Sequence, residues 1–177
     1  MRRDMTELSD YRDGKDAFFK TEADSPLTQE QKQSFEGLEY YSENENLRFE
    51  ADVEVFVNQN VMQMATSTGD VAAYQRWGIF RFDVDGEEAS LTLYRDLQMG
   101  ILFLPFIDGT AVVETYESGR YLEPEIIGED RIRIDFNLAY NPYCAYNENW
   151  SCPIPPDENH VNVAIRAGEK IPSFKKH

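Results

Sequence analysis

The sequence predicts a mostly β fold: a single domain forming an antiparallel β-barrel or barrel-like sandwich of about eight strands, with one or two N-terminal helices. Three observations point there. From Leu38 onward apolar residues recur at every second position, the period of a strand with one buried face. The alternating segments are joined mostly by short turns, the strongest being Asp85-Gly86, a preferred pair for a two-residue hairpin loop. Helical spacing is confined to the beginning of the chain. A length of 177 residues fits one domain, read as a helical segment, 1–37, packing on a β domain, 38–177.

In the first 20 residues Leu8, Tyr11, Lys15 and Phe18/Phe19 share one helical face. Asp4 with Glu7 resembles a capping box, while Gly14 costs such a helix ~1 kcal/mol against alanine. Ser25-Pro26-Leu27 breaks the chain, and Thr28 with Gln31 caps a second short helix ending near Gly37. Residues 48–57 alternate Phe49, Ala51, Val53 and Val55 with Arg48, Glu50, Asp52 and Glu54, giving a strand with an acidic outer face. Further strands are expected at 61–68, 77–84 and 89–95, the last two carrying Phe80, Phe82, Val84, Leu91 and Leu93 inward. The unbroken apolar run 101–106 suits a strand buried on both faces, with Pro105 at an edge or a strand end. Strands at 120–127, 131–138 and 161–166 complete the set.

The 33 acidic residues against 17 lysines and arginines leave a net charge of −16. That surface repels phosphate backbones and anionic lipid, so nucleic acid and membranes are unsuited as partners. Carboxylate-rich and lysine-poor, it fits a protein kept soluble in concentrated salt, where self-repulsion is screened. No run approaches the ~20 apolar residues of a membrane helix. Arg2-Arg3 is followed by Asp4, Glu7 and Asp10, where a secretion signal needs an apolar stretch. A cytoplasmic location is expected.

The stretch 131–152, RIRIDFNLAYNPYCAYNENWSC, stands out. Its strand sends Ile132, Ile134, Phe136 and Leu138 one way and Arg131, Arg133, Asp135 and Asn137 the other. The run after it, 140–159, has no periodicity and four prolines. Structureless loops beyond ~12–15 residues in compact domains are usually functional or disordered. Two cysteines, Trp150 and several tyrosines argue for an ordered loop over a barrel mouth.

The order FLPFIDGT (103–110), ETYESGRYL (114–122), DFNLAYNPYCAY (135–146), CPIPPDEN (152–159) and AGE (167–169) resembles domain-of-unknown-function family 1684. DGKDAFF (13–19), SPL (25–27) and FEGLEYY (35–41) are similar to the N-terminal half of that family. The resemblance implies identity without an activity. One departure lies at 109–113, GTAVV, where the family tends to carry a glycine after the threonine.

The resembling positions supply the carboxylates Asp108, Glu114 and Asp135, the phenols Tyr116, Tyr121, Tyr140 and Tyr146, and the amides Asn137, Asn141 and Asn159. Arg120 is the fixed cation among them, suited to a bidentate anion contact, and Gly119 before it permits a close approach or a positive φ. A small-molecule pocket is expected at Tyr116, Arg120, Asp135, Asn137, Tyr140 and Asn141. An enzyme with Asp135 or Glu114 as acid/base and Arg120 on an anionic group, and a protein-interaction module, stand beside it. So does a plain buried polar network tying loop to barrel. Cys144, Cys152 and His160 are soft ligands with spacings unlike zinc sites, and no phosphate loop or dinucleotide fingerprint occurs. No metal or cofactor is expected, and free thiols packing the loop are the plain expectation for the cysteines. The oligomeric state is left open.

Overall fold

The protein is described by a computed structural model over residues 5–175, with side chains from residue 7 onward. The expected cap at Asp4, Arg2-Arg3 and His177 lie outside the described residues. Helix α1 (Met5–Thr21) buries Leu8 and Phe19 and leaves Tyr11 exposed. Helix α2 (Gln29–Ser34) is capped as expected. The Gln31 amide nitrogen donates to the Thr28 hydroxyl at 3.1 Å, and the Gln31 side chain accepts from the Thr28 nitrogen at 2.9 Å.

Among the described residues nine strands follow: β1 (Arg48–Asp52), β2 (Glu54–Val55), β3 (Val61–Ala65), β4 (Val71–Val84), β5 (Glu87–Asp96), β6 (Leu102–Phe106), β7 (Arg120–Leu122), β8 (Glu125–Gly128) and β9 (Arg131–Asp135). They form a three-stranded sheet, β1-β9-β8, and a six-stranded sheet, β2-β4-β5-β6-β7 with β3 also on β4. All these pairings are antiparallel. The mostly β, antiparallel expectation holds, but neither sheet closes into a barrel. Both contribute to one core, where Ile132 and Ile134 of β9 join Phe80, Phe82, Leu91, Leu93 and Leu104 of the larger sheet.

The register of the small sheet follows from its charges. Arg48 faces Asp135, Glu50 faces Arg133 and Asp52 faces Arg131, so every charged cross-strand pair is of opposite sign. A one-residue slip would turn those charges into the core. The β4–β5 hairpin turns at Asp85 (φ 51°) and Gly86 (φ 86°), the left-handed pair that a type I′ turn requires.

Several expected strands differ. The 48–57 strand is divided at Val53, whose neighbours β1 and β2 belong to different sheets. The strand expected at 77–84 starts earlier, at Val71, and that at 131–138 stops at Asp135. There the Asp135 carboxylate accepts from the Asn137 nitrogen at 3.0 Å and starts a 3-10 turn, Phe136–Leu138. No strand forms at 161–166. Val163 and Ile165 are buried in alternation as a strand would bury them, but the backbone partners there include side chains, described below. Alternating burial needs one apolar face, not a ladder.

The departure at 109–113 has a structural counterpart. Val112 is in the left-handed region at φ 78° and is exposed, in a turn closed by Val112 donating to the Thr115 carbonyl at 3.0 Å. A β-branched residue there carries roughly 1–2 kcal/mol of strain. Glycine would relieve it while adding about 0.4–1 kcal/mol of unfolded-state entropy. Val112→Gly is therefore expected to raise stability by up to about 1 kcal/mol, measured by urea unfolding.

Candidate functional site

Strand β7 buries Arg120 completely, with no exposed surface. One guanidinium nitrogen donates to the carbonyls of Ala167 and Glu169, and the other to Ile165 at 2.8 Å and Asp108 at 3.4 Å. Asp108 in turn accepts from the Ile165 nitrogen at 2.7 Å and the Thr110 hydroxyl at 2.9 Å. The side chains of this ion pair take the place of a neighbouring strand for residues 165–169. Burial pulls the Arg120 pKa down and Asp108 pulls it back; a guanidinium stays charged regardless. Gly119 lies at φ +90°, and a Cβ there would meet the Phe106 carbonyl oxygen at 2.4 Å, so both uses expected of this glycine are realised.

Asn137 and Asn141 are buried in separate places. The Asn137 amide accepts from the Asn44 nitrogen at 2.8 Å and donates to the Asn44 carbonyl at 3.0 Å, pairing with backbone as a strand residue would. Asp135 beside it accepts from Arg48 Nε at 3.1 Å and from the Asn137 side chain at 2.9 Å. Asn141 donates from its side chain to the Tyr146 hydroxyl at 3.2 Å and the Lys170 carbonyl at 3.0 Å. Its backbone nitrogen donates to Glu169, a buried carboxylate that also accepts from Tyr146 at 2.8 Å and pairs with Lys15. Glu114 lies near the surface, accepting from two Arg166 nitrogens at 3.1 Å and from Tyr41 at 3.0 Å. Arg166 holds its carboxyl below the usual range, opposite to the direction a general acid needs.

Tyr140 stands at an opening. The apolar alternation of β5, β6 and β7 sends Leu93, Leu104 and Leu122 into the central core and Tyr94, Phe103 and Tyr121 to the opposite face. Phe19 of α1 and Ala145, Tyr146 and Cys152 of the long loop pack on that second face. Between them Tyr11, Tyr121, Tyr140, Tyr143 and Trp150 wall a cleft of about 500 Å³ that Lys15 and Glu123 also line. A second groove of about 370 Å³, bounded by Tyr74 and Phe103, shares Tyr121, Glu123 and Tyr140 with it. The rings are set edge to face: Tyr121 on Tyr140 at 5.8 Å, and Tyr143 on Trp150 at 5.0 Å. The Tyr140 hydroxyl donates to Glu123, and Lys15 Nζ sits 4.9 Å from the Tyr140 ring centre. Burial raises the pKa of both Tyr140 and Glu123.

Tyr116 packs behind this cleft, its hydroxyl 3.8 Å from Cys144 Sγ, and burial pushes it up to about 12. Cys144 and Cys152 are buried free thiols. His160 is exposed, its Nε2 3.1 Å from the Pro155 carbonyl. Among the described residues no three His, Cys, Asp or Glu side chains are grouped to hold a metal ion. The structure thus disperses the six expected pocket residues and brings only Tyr140 of them to the aromatic cleft, where Tyr121 and Cys152, singled out beside them, also stand. Tyr11, Lys15, Glu123 and Trp150 were not among them. The long aromatic loop pointed to Trp150, while Tyr11 and Lys15 come from the far end of the chain.

Fold and cleft together define a two-sheet antiparallel β protein with helices and one long loop layered on the outer face of its larger sheet. The chain belongs to the family described as "Protein of unknown function (DUF1684)", whose match covers residues 33–170. That span begins after DGKDAFF and SPL and holds the segments from FEGLEYY to AGE. Among solved structures the chain is similar to an uncharacterized protein of Haloarcula marismortui, determined by solution NMR. The two are 37% identical, with 97% of this chain and 95% of that one covered and a TM-score of 0.72. No curated protein matches the chain. No helix among the described residues is long and apolar enough to cross a membrane.

Proposed function

We propose that this protein binds a small organic molecule in the cleft between α1, β7 and the 140–153 loop. The observation that carries the reading is the wall of five aromatic side chains, Tyr11, Tyr121, Tyr140, Tyr143 and Trp150, around about 500 Å³. Ligand pockets run ≈ 300–1,000 Å³, with mostly apolar walls and a few placed polar groups. Lys15 and Glu123 are such groups here. They are already oriented by Glu169 and Tyr140, so a ligand would meet an arranged surface. The net charge of −16 and the likeness to a Haloarcula protein support a salt-rich cytoplasm as its setting.

Trp150 is 41% exposed and stands at the rim, so its fluorescence reports occupancy. A metabolite panel screened by thermal shift is expected to yield a binder that changes Trp150 emission. Tyr140→Phe removes the hydroxyl on Glu123, and Trp150→Ala removes one wall. Each is expected to weaken that binder about ten-fold or more while the melting temperature without ligand stays within a few degrees. Binding that survives Trp150→Ala unchanged would place the ligand elsewhere and end this reading.

A further inference from the structure

Cys144 and Cys152 are the protein's two cysteines, and the fold brings them together. Cys144 lies in the 3-10 turn Tyr143–Ala145 after Pro142. Cys152 is held against the β3–β4 turn: its nitrogen donates to Ser67 Oγ at 3.1 Å, and its carbonyl accepts from the Ser67 nitrogen at 2.9 Å. The backbone nitrogen of Cys144 donates to Cys152 Sγ at 3.3 Å, which sets the two cysteines side by side. Beside Cys144 Sγ stands the Tyr116 hydroxyl at 3.8 Å, while Lys175 Nζ lies 5.5 Å from the Tyr116 ring centre. Cys152 is part of the wall of the aromatic cleft. A buried thiol used only for packing needs neither a second cysteine beside it nor a hydroxyl at its sulfur. Groups that donate to a sulfur, and a nearby cation, favour the thiolate, the reacting form.

We propose that Cys144 and Cys152 are a thiol–disulfide exchange site, whose reactant is a low-molecular-weight disulfide entering through the aromatic cleft. Cys152, the cysteine at the cleft wall, attacks one sulfur of the reactant as its proton passes to the neighbouring Cys144 thiolate. The reactant's S–S bond breaks, and the first thiolate departs from the mixed disulfide on Cys152. That thiolate takes the proton from Cys144. Cys144 then attacks Cys152 Sγ and expels the second thiolate, which is protonated by solvent. The protein pair loses two electrons and its one shared proton, solvent supplies the second proton, and the reactant disulfide is reduced to two thiols. Because one proton serves two sulfurs, Cys152 pulls the Cys144 pKa down and Cys144 pushes that of Cys152 upward. The closed loop, 144–152, contains Trp150 and follows directly on Tyr143, so the oxidised pair would fix one wall of the cleft.

The test uses the full reduced chain, glutathione disulfide as the probe, an acid quench, N-ethylmaleimide and intact mass. The wild type is expected to lose two hydrogens and to take up neither glutathione nor maleimide, with a rate that inflects at a lower pH than an ordinary thiol would give. Cys144→Ala is expected to stop at one glutathionyl group on Cys152. Cys152→Ala, which keeps only the sulfur away from the cleft, is expected to react about ten-fold more slowly or less. Circular dichroism checks that the variants are folded, and if either is not, the wild-type mass and pH profile decide alone. A wild type that keeps two alkylatable thiols, retains a stable glutathione adduct or links two chains overturns the proposal. None of these readings depends on a ligand being found for the cleft.

Discussion

Arg120→Ala is expected to lower stability by about 3–5 kcal/mol, the range for removing one member of a buried ion pair. For a domain of this size that is roughly 6–20 °C in melting temperature. The reason is more than one lost pair. The guanidinium serves the carbonyls of Ile165, Ala167 and Glu169 as well as Asp108. Alanine would leave three acceptors and one carboxylate without it inside the core. Arg120→Lys keeps the charge but not the planar fork, and is expected to recover only part of the loss. Since the guanidinium stands in for a strand beside 165–169, amide exchange there should accelerate more than in β4 or β5. Thermal and urea unfolding measure the first effect, and hydrogen exchange the second. An Arg120→Ala protein that melts within about 2 °C of the wild type would contradict the assignment.

The same residue explains why the fold was more legible than the site. Elements whose partners are backbone announce themselves by period and turn chemistry. The opposed charges on β1 and β9, the Asp85-Gly86 hairpin and the Thr28/Gln31 cap were all readable as local patterns. Arg120, Asn137 and Asn141 were singled out because their donors and acceptors suit a ligand, and the same groups suit a bare carbonyl. Residue type does not tell a substrate oxygen from the oxygen of Ala167. The segment 161–166 misled for the converse reason: its alternating burial is real, but its backbone is partnered in part by Asp108 and Arg120. The cleft was hidden by sequence distance. Tyr11 and Lys15 reach Tyr140 and Trp150 only because α1 lies on the outer face of the large sheet, and no local pattern encodes that docking.

Asn159→Ala is expected to cost about 3–5 kcal/mol, from three buried hydrogen bonds at about 1–3 kcal/mol each with partial relaxation. Its place follows from a proline. The β5–β6 pairing of Tyr94 with Phe103, continued in register, would set Thr92 opposite Pro105, and Pro105 has no N–H to give Thr92. The fully buried Asn159 amide enters there instead. Its oxygen accepts from the Thr92 nitrogen at 2.8 Å, and its nitrogen donates to the carbonyls of Thr92 at 2.9 Å and Pro105 at 2.8 Å. One side chain thus replaces both bonds of a missing ladder pair and ties the long loop to the sheet. Asn159→Asp separates donation from size. Its carboxylate can accept from Thr92 but can donate to neither carbonyl, so its folded-state pKa must lie above the unfolded value near 3.9. For a raised acid the stability is highest below the unfolded pKa and falls as pH rises toward the folded one. Asn159→Asp is therefore expected to approach the wild type near pH 3–4 and to lose ground toward pH 7, relative to wild type at each pH. Asn137→Ala, which removes a similar amide from half-buried partners at Asn44, is expected to cost less. Equal losses at the two positions, or an Asn159→Asp deficit flat from pH 3 to 7, would show that the amide does not replace the ladder.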